Sequence, residues 1–255
     1  MSVNESFGGE IGKQVPVKAI YDDIAHPALS EVGKALQGVT KMALSPISAM
    51  VWGFDKIASY LDVAIPEYFA RKKIAPEKIK SPDPSIAVPT IMALTYNSHK
   101  TELREMFTNL LGTSMNSDVV DEHPAFVEII KQLCSDEAKM LKEIRECGMM
   151  PIIKFRIAID SVGEIDVLPY FSDICYRVGC EYPQKFPEYL DNLHRHGLVD
   201  VEIDRHFTND DYYEELKKHP GCKKINVQPG QKIVEKKSIF KITEFGRMFC
   251  SVCMD

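Results

Sequence analysis

The stretch that decides the fold is Lys185-Phe-Pro-Glu-Tyr-Leu-Asp-Asn-Leu-His-Arg-His-Gly-Leu-Val-Asp-Val-Glu-Ile203. Its first half, up to His196, has the apolar spacing of a helix and stops at Gly197. Its second half alternates apolar and polar residues, as a half-buried strand does. The stretch therefore predicts a helix that leads directly into a strand.

The residues around this stretch predict a small α+β region over residues 151–255. The predicted elements are a strand at 152–159, helices at 170–178 and 210–218, a hairpin of 225–228 and 232–242, and a closing helix at 244–253. Their order, with the phrases at 193–199 and 242–249, resembles a winged helix, a helix-turn-helix variant with a β-hairpin wing. We therefore expect a winged-helix-like domain.

The chain before residue 151 has a helical pattern that follows a flexible arm at residues 1–20. Helices are predicted from Pro46 to about 61, at 67–73, 90–96, 101–114 and 136–146, and after Pro124, with an earlier apolar stripe from Leu29. The four prolines of residues 74–89 predict an extended connector. The predicted fold is mainly α with a smaller α+β part, in which a multi-helix domain at 21–150 precedes the winged-helix-like domain.

Composition and charge narrow the class of protein. Apolar residues make up 45% of the 255 residues and charged residues 27%, as in globular proteins. The net charge of -6 excludes a protein that binds nucleic acid through its overall charge. The seven cysteines, an odd number, predict reduced thiols in a cytoplasmic protein. No apolar stretch reaches the roughly 20 residues of a spanning helix, so we expect no transmembrane segment.

Cationic residues near the predicted hairpin form a candidate binding surface. Eight lysines and one acid, Glu235, lie between Lys217 and Lys241, and such a cluster is typical of contacts with phosphate. The predicted recognition helix also carries Glu188 and Asp191, which favours contact with protein at least equally. The candidate nucleic-acid or partner-binding residues are Asn192, Arg195, Lys223, Lys224, Lys232, Lys236, Lys237 and Lys241.

Catalytic and metal-binding motifs are weak in this sequence. Cys250 and Cys253 would need a second pair, from Cys175 with Cys180 or His194 with His196, to hold zinc, and buried free thiols are the favoured interpretation. His123 and Glu128 flank a helix start, where capping is favoured over acid–base chemistry. We expect a protein with no enzymatic activity, no cofactor and no metal.

Several segments of the helical region match a known family in order. They are Asp23-Ile-Ala-His-Pro-Ala-Leu29, Val51-Trp-Gly-Phe-Asp-Lys-Ile57, Leu103-Arg-Glu-Met-Phe-Thr-Asn-Leu-Leu111 and His123-Pro-Ala-Phe-Val-Glu128. The set resembles the bacterial abortive infection alpha family over residues 20–147. The resemblance implies a phage-defence protein whose host cell stops growing or dies, and it implies no reaction. The matching residues to test are Trp52, Asp55, Lys56, Arg104, Asn109, His123, Pro124 and Glu128.

Three functions remain open on the sequence. The leading hypothesis is a non-enzymatic anti-phage protein that acts through self-association or contact with a protein partner. The second is a DNA-binding transcriptional regulator that uses the lysine-rich wing. The third is a membrane-perturbing effector in which the small-residue-rich helices between Leu29 and Leu61 insert, although a buried helical hairpin is the favoured interpretation of that stripe.

Overall fold

The computed structural model describes residues 53–119, 122–159, 163–222, 228 and 230–255. The chain divides into two compact units, the first ending at Lys131 and the second running from Gln132 to Asp255. The boundary predicted from the sequence lies after residue 150, because the helix that follows Cys134 was assigned to the same domain as the helices before it. The predicted arm at 1–20 and the stripe from Leu29 to residue 52 lie outside the described residues.

The first unit is built from helices. Its described elements are α1 (Phe54–Lys72), α2 (Pro84–Asn97), α3 (Thr101–Ser114) and α4 (Ala125–Lys131), with a short 3-10 helix at Pro76–Lys78. Helix α3 contacts each of the other three helices, and every residue of it from Met106 onward is buried. The prediction of a helix at 101–114 is confirmed, and this helix is the centre of the unit.

Two predictions around prolines in this unit are wrong. Pro66 does not begin a separate helix, because α1 continues through it and buries Ile65 and Phe69 on either side. The connector predicted at 74–89 ends at Asp83, whose side chain accepts a hydrogen bond from the Ser85 N–H (2.7 Å) and caps α2. Tertiary burial of the neighbouring residues therefore outweighs the unfavourable helix propensity of Pro66 inside α1 and of Pro89 inside α2.

The second unit combines helices with a four-stranded antiparallel sheet. Its elements are α5 (Ser135–Cys147), β1 (Met149–Ile159), β2 (Gly163–Phe171), α6 (Ile174–Arg177), α7 (Phe186–Arg195), β3 (Val199–Glu202), α8 (Asp211–Lys218), β4 (Gln231–Ile242) and α9 (Glu244–Cys253). The strand order is β2-β1-β4-β3. The fold class is therefore confirmed as mainly helical with a smaller β part.

The sheet buries residues on both of its faces. On one face Phe240, directly opposite Met150, packs on Phe186 of α7 with ring centroids 5.8 Å apart. On the other face Ile153, Phe155 and Phe171 form a cluster with Tyr213 and Leu216 of α8. Helices thus cover part of each face of the sheet, and the cores lie between the layers.

Strand β2 and the pairing of β4 were not predicted. The predicted helix at 170–178 is reduced to α6, because Tyr170 and Phe171 belong to β2 and pair with β1. The first strand of the predicted hairpin falls mostly outside the described residues, and its second strand, β4, lies between β1 and β3. The predicted strand at 198–203 is confirmed as β3.

Candidate partner or nucleic-acid interface

Helix α7, the predicted recognition helix, buries one face and exposes the other. Phe186, Tyr189, Leu190 and Leu193 are buried. Glu188, Asp191, His194 and Arg195 are exposed. The face that a partner can reach therefore carries two carboxylates and one guanidinium.

The two polar residues predicted to read bases are engaged inside the unit. The side-chain amide of Asn192 donates to the carbonyl oxygen of Gln132 (3.0 Å) and to Oε1 of Glu137 (2.8 Å). Arg195 Nη2 donates to Oδ1 of Asn192 (2.6 Å) and contacts Oε1 of Gln132 at 3.4 Å. Base recognition by Asn192 would first have to break these contacts, whereas Arg195 uses only Nη2 in them and remains exposed, so the structure joins the two residues in one network.

Two buried carboxylates lie at the start of α5, Asp136 and the Glu137 that binds Asn192, and neither was among the residues predicted from the sequence. Asp136 accepts hydrogen bonds from the N–H groups of Glu181 (2.9 Å) and Tyr182 (3.0 Å) and from the hydroxyl of Tyr189 (2.9 Å). Burial alone would raise the pKa of Asp136, but these donors hold its pKa below the ordinary value. The available signal was a pair of acids in a first helical turn, which the helix dipole alone would explain.

The second carboxylate, Glu137, closes the first turn of α5. Its Oε2 accepts a hydrogen bond from the N–H of Cys134 (2.7 Å), which is the reciprocal contact of a capping box. Burial raises the pKa of Glu137, and it raises the pKa of the Cys134 thiol to about 11. The cap therefore lies at Cys134, and α5 begins one residue before the predicted start at 136.

The lysine cluster is partly neutralised by acids from distant parts of the sequence. Lys237 pairs with Asp210 (2.9 Å), and Lys241 pairs with Glu202. Lys217 contacts Glu235 at 3.1 Å. The local positive charge was therefore overestimated from the sequence, because Asp210 and Glu202 lie outside the stretch between Lys217 and Lys241. Lys223 and Lys224 lie outside the described residues.

Lys232 and Lys236 are the exposed lysines of β4, and they share one face of the sheet. Lys236 lies opposite Lys154 of β1 in the register, while Lys232 lies opposite Ala158. Lys154 contacts Asp166 of β2 at 2.6 Å. Arg156, on the same face, contacts Asp166 and Glu164 at 2.8 and 3.1 Å. This face, defined by Lys154, Arg156, Lys232 and Lys236, is called the cationic sheet face below.

The family-motif residues of α3 hold the first unit together. Arg104 Nη1 donates to the carbonyl of Ser98 (2.9 Å), and its guanidinium lies 5.5 Å from the ring centroid of Tyr60. Asn109 is buried and accepts a hydrogen bond from Arg71 (3.0 Å). These contacts give both residues a role in helix packing.

The other motif residues lie at helix starts. His123 Nδ1 accepts a hydrogen bond from the N–H of Ala125 (3.1 Å), and this contact caps α4 directly after Pro124. Glu128 is exposed and pairs with Lys131 at 2.9 Å. Asp55 and Lys56 lie exposed in the first turn of α1, and Trp52 lies outside the described residues.

The cysteines considered as zinc ligands occupy separate places. Cys250 and Cys253 are buried in α9, while Cys175 and Cys180 lie at the end of α6. Within the described parts of the chain, no three His, Cys, Asp or Glu side chains are arranged to hold a metal ion. No helix of those parts has the length and apolar character needed to cross a membrane.

Comparison with known proteins identifies the family. The sequence profile described as abortive infection alpha matches residues 62–253. The chain therefore belongs to the abortive infection alpha family, whose description indicates a role in abortive infection, a form of phage defence. The match takes in the sheet-containing unit as well as the helices, whereas the resemblance noted in the sequence ended near residue 147.

The comparisons with solved structures and with curated proteins do not extend this identification. A solved structure described as an uncharacterized protein from the hydrocarbon-degrading marine bacterium Alcanivorax borkumensis SK2 is 18% identical. The similarity covers 50% of this chain and 90% of that one, with a TM-score of 0.33. None of the curated proteins matches the chain.

Proposed function

We propose that this chain is a non-enzymatic abortive-infection protein of the bacterial cytoplasm that acts by contact with a protein partner or with a second copy. The observation that carries the proposal is the pattern of side-chain contacts and exposed charges on α7. Its Asn192 and Arg195 are engaged with Gln132 and Glu137, and its exposed face presents Glu188 and Asp191. These two carboxylates, which outnumber the single guanidinium of Arg195 on that face, repel the phosphate backbone and suit a basic protein surface.

The described part of the small-residue-rich stripe supports the same proposal. Ile57 and Leu61 of α1 are each only 1% exposed, so this end of the stripe lies in the core of the first unit. Membrane insertion would have to remove both side chains from that core. The helical unit is therefore proposed as the sensing or self-associating part of the protein.

Phage challenge of cells that carry the gene tests the acidic face of α7. The double variant Glu188→Lys/Asp191→Lys is expected to lose protection by at least tenfold in plaque count, because charge reversal opposes the proposed contact. The matched control is Asp204→Lys/Glu215→Lys, which reverses two exposed acids elsewhere in the same unit and should protect like the wild type. Full protection by the α7 variant at equal protein level would reject the proposed contact.

A second candidate, DNA binding, is favoured by one observation. Strand β4 lies between β1 and β3, as a winged helix requires, with β2 and α8 inserted in the expected order of elements, and Lys232 and Lys236 are exposed on β4. Mobility-shift assays at several salt concentrations separate the candidates. The leading proposal expects no change in DNA affinity for Lys232→Ala/Lys236→Ala. A salt-dependent loss of affinity in that variant would favour the DNA-binding regulator.

A further inference from the structure

The end of α6 brings two cysteines together. Gly179 has a left-handed backbone (φ +67), and the N–H of Cys180 then donates to the carbonyl of Cys175 at 2.8 Å. This is the six-to-one hydrogen bond that ends many helices, and it places the side chains at its two ends in contact. Residues five apart in the sequence are therefore neighbours in space.

Both thiols point at the same turn of α5. Cys175 Sγ lies 3.4 Å from Sδ of Met140, and Cys180 Sγ lies 3.8 Å from the carbonyl oxygen of Asp136. In an α-helix the carbonyl of residue 136 points toward the N–H of residue 140, so the two contacts converge. The backbone hydrogen bond holds the two residues close together, and the shared direction of their thiols suits a disulfide, which requires Cα atoms within about 7 Å.

The two thiols differ in access. Cys175 is fully buried, whereas Cys180 is partly exposed in the loop that Asp136 holds through Glu181 and Tyr182. A reagent from solvent therefore reaches Cys180 first, and Cys175 is placed to react next. Burial raises the pKa of both thiols, so little thiolate is present and the exchange is slow, unlike that of a catalytic thiol.

We propose that Cys175 and Cys180 form a reversible intrachain disulfide on exposure to a low-molecular-weight disulfide such as oxidised glutathione. The Cys180 thiolate attacks one sulfur of the reagent, which forms a mixed disulfide and releases one thiolate. The Cys175 thiolate then attacks Cys180 Sγ, which closes the protein disulfide and releases the second thiolate. Two electrons pass to the reagent, and the two protons of the protein thiols end on the released thiols.

The test treats the folded full-length chain with oxidised glutathione, blocks the remaining thiols and digests with trypsin. Cleavage after Arg177 separates the two cysteines, so a disulfide holds peptides 157–177 and 178–185 together until reduction. The linked pair is expected as the main protein disulfide. Cys180→Ser should abolish it, and Cys175→Ser should leave glutathione attached to Cys180.

Two internal comparisons make the test specific. Cys147, an exposed thiol, is expected to carry only glutathione. Cys250 and Cys253, which are buried in α9, should remain unlinked in the folded chain and become linked in urea. The proposal is overturned if folded wild-type protein retains glutathione on Cys180, links Cys180 to Cys134, or forms the 175–180 pair no faster than it forms the 250–253 pair.

Discussion

The two units of the molecule differ in the charge of the polar side chains that they bury. Among the residues that the structure describes, the buried polar side chains of the first unit are all neutral, as in the 2.7 Å contact between the hydroxyls of Tyr68 and Thr113. The second unit buries the carboxylates of Asp136 and Glu137. A neutral pair fixes how two helices pack, whereas a carboxylate accepts several donors and joins several elements at once. The second unit should therefore depend on pH and on single charges, and the first should not.

The largest effect is expected from Gly246→Ala, which affects packing rather than charge. A Cβ at Gly246 would overlap the carbonyl of Leu198, which already accepts hydrogen bonds from Thr243. Because that backbone cannot move without disrupting β3, the variant should lose about 3 kcal/mol of unfolding free energy. Urea denaturation measures the loss. Ser251→Ala, at an exposed site of the same helix, should change stability by less than about 0.5 kcal/mol.

Asp136→Asn tests the charged network directly. The amide cannot accept all three hydrogen bonds, so the loss should be about 2–3 kcal/mol at pH 7. Because folding lowers the pKa of Asp136, its contribution is present above the unfolded pKa of about 3.9 and disappears as pH falls through the folded value. Wild type and variant should therefore converge in stability once the pH falls below the folded pKa of Asp136. A constant gap between them down to acidic pH would mean that the ionised carboxylate is not the source.

Removing one buried hydroxyl from each unit compares the two kinds of polar contact. Tyr213 donates to the carbonyl of Ser238 and accepts from the N–H of Phe207, both at 3.0 Å, so Tyr213→Phe leaves two backbone groups unpaired and should cost about 2 kcal/mol. Tyr68→Phe removes the bond to Thr113 and should cost about 1 kcal/mol. Thermal denaturation of both variants checks the order. A larger loss for Tyr68→Phe than for Tyr213→Phe would contradict the expectation that unpaired backbone groups cost the most free energy.

The smallest effect on stability is expected at the cationic sheet face. Lys236 is exposed, and Lys236→Ala should change the unfolding free energy by less than about 0.5 kcal/mol. Arg156→Ala removes contacts to Glu164 and Asp166, yet it should also cost less than about 1 kcal/mol, because these pairs are exposed. Chemical denaturation measures both changes. A larger loss at Lys236 would show that this face is part of the fold.

Local sequence patterns predicted well the helices and the features that depend on neighbouring residues, such as helix ends and caps. The boundaries of α3, the stop at Gly148 and the cap of α9 at Thr243 all follow from nearby residues. Strand β2 was missed although Glu164-Ile-Asp-Val167 alternates, because Ile165 and Val167 are exposed on this edge strand and the predicted helix at 170–178 took its last two residues. The contacts of the predicted site residues were not predicted, because the hydrogen-bond partners of Asn192 and the ion-pair partner of Lys237 lie far away in the chain.

The sequence by itself determined the family, the mainly helical class and the helix that leads into β3. Those properties depend on residue types and on spacings of a few positions, which a sequence displays directly. Only the tertiary structure decided that Pro66 lies inside α1, that Asp136 is buried among three donors, and that Lys237 and Lys241 are paired. Each of these outcomes depends on contacts between residues far apart in the chain, and such contacts exist only once burial has brought those residues together.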